Sequence, residues 1–181
     1  MRRIASATVI AMECDRLLPA IGPARRRRYS RPMRMTGPWS DARIAAHLSE
    51  AKIPLRLACI DKDGWPLVLS LWFTSMEGAI WCASHSSARV LAMLSDDSRC
   101  AFEVAGEKPP YRGVRGQGRA TLHPERGAEI LSTLLDRYDI SREGKLGAWL
   151  MSRSAEEVAI RIDATWIGSW DFTERMRGSQ S

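Results

Sequence analysis

The sequence predicts a mainly β domain with helical decoration (α+β), in which six or seven mostly antiparallel strands close into a barrel. Three observations point there. The apolar runs LRLACID (55–61), WPLVLSLWFT (65–74) and AIWCAS (79–84) are separated only by the turns DKDG and SMEG, the spacing of antiparallel hairpins. RGVRGQGRATL (112–122) alternates strictly, with Val114, Gly116, Gly118 and Ala120 on one face and Arg115, Gln117, Arg119 and Thr121 on the other. EEVAIRIDATWIGSWDF (156–172) closes the chain as one long or two short strands.

Taken in order, TGPWSDARIAAHLSEAK reads as a helix with Ser40 as N-cap and Ile44, Ala45 and Leu48 on its apolar face, stopped by Pro54. The next three strands form a meander, with Gly64 at the turn position that wants positive φ. A helix over SSARVLAMLSDD follows, with Ser86 or Ser87 as N-cap and Val90, Leu91, Met93 and Leu94 as its buried stripe. RCAFEVA (99–105) is the fourth strand, and Pro109 and Pro110 exclude regular pairing in the loop after it. The three glycines of the alternating strand imply a strong bend or close approach by a ligand. Pro124 opens a helix carrying Ile130, Leu131, Leu134 and Leu135, and GKLGAWLMSR reads as a short helix.

The length of 181 residues suits one domain, and a hydrophobic fraction of 45% supports a core without disulfides. No apolar run approaches the roughly 18 residues of a membrane span, so a soluble, cytoplasmic protein is expected. The formal net charge is +6, but residues 1–34 hold nine arginines against Glu13 and Asp15, which leaves −1 over residues 35–181. The near-neutral body argues against nucleic-acid binding. Residues 1–34 read as a basic, disordered leader or a misassigned start, with translation beginning at Met33 or Met35. The domain then covers 35–175, with a flexible tail at 176–181. Cys14, Cys59, Cys82 and Cys100 show no CxxC spacing, and His47, His85 and His123 lie far apart, so no metal site is expected.

From Ile53 to Phe172 the chain resembles the FMN-binding split-barrel family around pyridoxamine 5′-phosphate oxidase. LRLACIDKDGWPLVLSLWF is similar to the family's first hairpin, and ASHSSARVLAMLSDDSR to the segment where small polar and basic residues meet the flavin phosphate. PPYRGVRGQGRATL resembles the family's RGVRVRGRA strand, and RIDATWIGSWDF its closing strand with a tryptophan. The resemblance implies an FMN cofactor, a homodimer with the cofactor at its interface, and oxidoreductase activity on a small molecule. Two departures stand out. The C-terminal SWDFTERMRGSQS lacks the histidine-bearing motif that grips a substrate phosphate, and Arg89 is the single basic residue after the third strand. A deazaflavin coenzyme on the same fold, or a non-enzymatic haem- or ligand-binding barrel using His85 or His123, are the alternatives.

The resemblance also places the cofactor. A helix N-terminus offers free N–H groups and positive potential to a phosphate, and here Arg89 adds a bidentate donor while Ser84, Ser86 and Ser87 add hydroxyls. His85 reads as a ligand contact or a solvated residue rather than a general acid. The flavin ring lies against the backbone of Val68, Leu69, Ser70 and Leu71. Gln117 and Trp170 match family positions beside the ring, Trp170 serving the partner's site. Trp39, Trp65, Trp72, Trp81, Trp149 and Trp166 read as packing residues.

Overall fold

The computed structural model describes residues 33–177, so the expectations for the arginine cluster, Cys14 and the last four residues fall outside the described range. Strand β1 (Arg34–Thr36) starts on the last residue of the expected leader and pairs in parallel with Trp166–Gly168. Helix α1 (Asp41–Glu50) follows, its Ser40 cap accepting the Arg43 N–H at 3.3 Å while Ile44 and Leu48 are buried. β2 (Leu55–Ile60) and β3 (Pro66–Leu71) form a hairpin in which Gly64 has φ +84° and the Asp61 carboxylate accepts the N–H groups of Asp63 and Trp65. β4 (Phe73–Met76) and β5 (Ala79–His85) form a second, turning through Glu77 and Gly78 with positive φ at both, as a twist-matched two-residue turn requires.

After these come α2 (Arg89–Asp96), β6 (Arg99–Ala105), β7 (Arg112–His123) and, beyond a 3-10 turn at Pro124–Arg126, α3 (Gly127–Arg137). α4 (Lys145–Ser152), the 15-residue strand β8 (Glu157–Asp171) and α5 (Thr173–Arg177) complete the described chain. The sheet order is β3-β2-β6-β7-β8-β5-β4, with β1 beside β8.

That order replaces the expected three-strand meander. The run 65–74 breaks at Trp72, β3 pairs with β2, and β4 pairs with β5 at the opposite end of the sheet. The two end strands are therefore neighbours in sequence, and the sheet must curl until its ends meet. The break at Trp72 and the addition of β1 give eight strands instead of six or seven. The α+β split barrel itself is as expected.

Two apolar layers hold the curl. The barrel interior gathers Leu55, Leu57, Phe73, Phe102, Val104, Val114, Ile160 and Ile162 with the stripe Val90, Leu91, Met93 and Leu94 of α2. A second layer lies between the sheet's outer face and α3, where Ala79, Trp81 and Ala159 meet Ile130 and Leu134. β5 is buried on both faces, which is why its sequence is continuously apolar instead of alternating.

The glycines of β7 serve the bend. A Cβ at Gly116 would strike the Phe102 ring and the Trp166 carbonyl, and one at Gly118 the Asp163 carbonyl, where the ladder slips between Gln117 and Gly118. Close strand packing around this bulge accounts for both positions.

Arg137 ties the two layers to α1. Its guanidinium donates to the Leu48, Ser49 and Ala51 carbonyls at the C-terminus of α1 and lies 4.9 Å over the Phe73 ring. A cation there satisfies carbonyls that the helix leaves open. Arg137→Ala is expected to lose about 2 kcal/mol in urea denaturation. Asp171 sits well below the usual carboxylate range because the Thr173 hydroxyl and N–H, the Trp39 indole and Arg43 all favour its anion, and Arg99 holds Asp97 at about 2. Folded values below the unfolded 3.8 mean stability complete above about pH 4 and lost toward pH 2. Asp171→Asn should flatten that acid limb in urea midpoints measured against pH.

Candidate functional site

The site grows from the break at Trp72. Among the described residues β3 is paired on one side only, which leaves the other backbone edge of Pro66–Leu71 without a strand partner. Period-two alternation turns Leu67, Leu69 and Leu71 toward the core and leaves Val68 and Ser70 exposed. Trp72 stacks on Tyr138 with ring centroids 5.1 Å apart and planes 18° from parallel. The Tyr138 hydroxyl donates to the Ile53 carbonyl at 3.0 Å and accepts the Phe73 N–H at 3.3 Å, and burial pushes its phenol pKa up. One side chain therefore fixes the start of β2 and the start of β4.

Beside this hinge lies a cleft of about 310 Å³. β3 contributes Ser70 and Leu71, the end of β5 contributes Ala83, Ser84 and His85, and Glu157 opens β8. Leu131 and Leu134 of α3 with Trp149 and Leu150 of α4 make the apolar wall, and Arg153 stands at its margin. A few polar groups converging in an apolar recess is the usual composition of a small-molecule site, and this volume is at its lower end. A second recess of about 780 Å³ lies on the other side of Ser70, between the end of α1 and the β6–β7 loop, with Arg56, Lys108 and Arg112 among its lining.

The junction between β5 and α2 differs from the expected open cradle. α2 begins at Arg89 with Ala88 as N-cap and no side-chain cap, so neither Ser86 nor Ser87 caps it. The Ser87 hydroxyl lies 2.8 Å from His85 Nδ1 instead, and the Ser87 N–H donates to the same nitrogen at 3.2 Å. Nδ1 is therefore the acceptor, and His85 Nε2–H faces Glu156 Oε2 at 2.7 Å. The N–H groups of Ser86 and Ala88 donate to the Glu156 and His85 carbonyls. What stays open to an anion is the side chain of Arg89, 69% exposed and 3.3 Å from Asp61 on the β2–β3 turn, with the Ser84 and Ser86 hydroxyls. An exposed ion pair of that length is weak and yields easily to a better partner.

Gln117 and Trp170 do not line either recess. Gln117 stands opposite Ala101 and Trp166, and Trp170 opposite Gly113 with the Arg115 guanidinium 5.4 Å from its ring. They share the outer sheet face with Val68 and Ser70, since the row Val68–Ala58–Ala101–Gln117–Trp166 crosses five strands in register. Of the expected site residues, Ser70, Leu71, Ser84 and His85 line the cleft, and Val68, Gln117 and Trp170 lie on the outer sheet face. Leu69 turns toward the core, and Ser86, Ser87 and Arg89 line neither recess. Two of the tryptophans expected to pack do not, Trp65 being 73% and Trp149 53% exposed.

The sequence passed over Glu156, Glu157, Arg153 and Trp149 as functional residues. Glu157 meets His85 through the β5–β8 register and Glu156 through its side chain, while Trp149 and Arg153 reach the same cleft from α4 and its end, links that no local pattern carries. Cys59, Cys82 and Cys100 are free and buried, and burial pushes the Cys100 thiol up to about 12, so none is a poised nucleophile. Among the described residues no group of three or more His, Cys, Asp or Glu is placed to hold a metal, and no helix is long and apolar enough to cross a membrane.

No family model matches the sequence, and no curated protein does. Solved structures do. The conserved hypothetical protein Rv2991 from Mycobacterium tuberculosis is 25% identical with a TM-score of 0.64, over 78% of this chain and 90% of that one. An F420 reductase is 21% identical with a TM-score of 0.56, over 66% and 92%. A Listeria innocua protein named for pyridoxamine 5′-phosphate oxidase is 16% identical with a TM-score of 0.55, over 70% and 94%. The chain shares the split-barrel fold of these structures. Other split barrels of this shape include a FAD-binding protein from Mesorhizobium loti and the haem storage protein HutZ from Vibrio cholerae.

In this split barrel the Tyr138 hydroxyl holds the hinge that shapes the cleft. Tyr138→Phe keeps the stacked ring and removes both hydrogen bonds, which should cost about 1–2 kcal/mol in thermal denaturation. The near-UV circular dichroism of the Trp72–Tyr138 pair should weaken in the same variant.

Proposed function

We propose that the protein binds FMN and acts, as a homodimer, as an oxidoreductase on a small molecule. The observation that carries this reading is the shared cleft: Ser70 and Leu71, on the open edge of β3, face the same recess as Ser84 and His85 at the end of β5. The residues present fit the cofactor. The open β3 edge offers backbone N–H and C=O groups to the polar rim of a planar ring, and Arg89 with the Ser84 and Ser86 hydroxyls offers donors to a phosphate. FMN supplies the hydride chemistry, and the chain's own work is placement and exclusion of water. Gln117 and Trp170, too far round the sheet to serve their own cleft, reach a second chain's cleft across a dimer interface. The exposed Val68, Tyr111 and Phe172 suit burial there.

A deazaflavin coenzyme is the second reading, favoured by the similarity to an F420 reductase and by a phosphate site with a single arginine. The haem reading is weaker. Both ring nitrogens of His85 are engaged by Ser87 and Glu156, and those of His123 by Thr121 and Glu125, leaving neither imidazole free for iron.

The absorption spectrum of the purified protein separates the three. A flavin spectrum, release of FMN on denaturation and a dimer by light scattering are expected. Arg89→Ala should weaken FMN about tenfold while leaving riboflavin, which has no phosphate, unchanged. A colourless protein with equal FMN affinity in both forms sinks the assignment.

A further inference from the structure

Glu157 is the only charged residue among the described residues to be buried, with 9% of its surface exposed, and it lines the cleft. It opens β8 directly opposite His85 on β5, so both side chains leave the sheet on the face that α3 covers. A Cβ at Gly127 would overlap the Glu157 backbone carbonyl, so the first turn of α3 packs directly on the backbone of this residue.

The groups facing it are His85 from β5, Arg153 from the end of α4 and its neighbour Glu156. Yet among the described residues none makes a hydrogen bond or ion pair with the Glu157 carboxyl. His85 is bound to Glu156 and Ser87, and Arg153 lies 4.8 Å over the ring of Trp149. A buried acid without a partner is costly as an anion, and burial pushes the Glu157 pKa up, against the smaller opposing pull of His85 and Arg153. In its protonated form, which burial favours, the carboxyl presents one O–H donor and one C=O acceptor side by side. The complementary shape is a lactam edge, an adjacent N–H and C=O on one ring, which it meets with two parallel hydrogen bonds. The apolar wall of Leu131, Leu134 and Trp149 accepts a flat ring.

We propose that Glu157 is the specificity-determining residue of the cleft and reads the lactam edge of a planar heterocycle seated against Trp149. This rests on the cleft being a ligand site. It does not require the phosphate contacts of Arg89.

Lumichrome, a planar ring system with lactam N–H groups and no phosphate, is the probe, followed by tryptophan fluorescence from pH 4.5, the ordinary glutamate value, upward. Glu157→Gln, which keeps a donor and an acceptor side by side, should retain binding. Glu157→Ala should weaken it at least about tenfold. The 1,3-dimethyl derivative, stripped of its donors, should bind the wild type about as weakly as lumichrome binds Glu157→Ala. Wild-type binding should fade as pH rises and the carboxyl ionises, while Glu157→Gln stays level. Equal affinity of wild type and Glu157→Ala, equal affinity for the two probes, or no binding to the wild type overturns the proposal. An Arg89→Ala variant that leaves FMN affinity unchanged while lumichrome still binds sinks the phosphate reading and leaves this one standing.

Stability gives a readout independent of any ligand. A folded pKa raised above the unfolded 4.5 lowers stability progressively as pH climbs from there, and the penalty is absent below it. Glu157→Gln should therefore have a higher urea midpoint than the wild type at pH 8, the two converging near pH 4. A lower midpoint at pH 8 would mean a well-paired carboxylate and overturns the proposal.

Discussion

The architecture depends on one short piece of chain being asked to end a sheet twice. β3 and β4 are the two ends of the strand order, and only Trp72 separates them. A flat sheet would hold its ends many strand spacings apart, so the chain's covalent continuity enforces the curl. Tyr138 then fixes the crossing point, stacking on Trp72 and bonding to both Ile53 and Phe73. The cleft is a by-product of that enforced curvature: where the ends come together without pairing, a gap remains, and α3 and α4 roof it.

The individual elements were legible because each carries a local signal. Ser40 caps α1, Gly64 takes the positive φ of its turn, and the stripe of α2 is buried residue by residue. The meander was misread because LVLSLWFT shows no breaker at Trp72. The division there follows from which partner each half finds, a tertiary matter. The N-cap of α2 was misread for a related reason. Ser87 is competent to cap, but His85 competes for its hydroxyl and its N–H, and that histidine is held in place by Glu156, 71 positions away in the chain.

The candidate site was half legible. Ser70, Leu71, Ser84 and His85 share one cleft; the sequence announces the turns of their hairpins, and the curl that brings the two hairpins together follows from the break at Trp72. Gln117 and Trp170 lie on the outer sheet face, where the register of β7 with β8 puts them. The acidic half escaped notice, since a Glu-Glu pair before an apolar strand looks like an ordinary solvated strand entry. Glu156, the last residue of a 3-10 turn, meets that description with its exposed side chain, whereas Glu157 opens β8 and is buried.

The single-residue link at Trp72 also sets where this chain can tolerate changes in length. Leu69, Leu71 and Phe73 all point inward, so parity is carried unbroken across the junction. One inserted residue would turn every side chain of one half inside out relative to the other, driving Val68 and Ser70 into the core or Phe73 out of it. The turns at 61–65 and 77–78 carry no such bookkeeping, because each joins strands that already pair with one another. Variation in length is therefore tolerated at the hairpin tips and not between β3 and β4, where the hinge between the sheet's two ends has a fixed count of one.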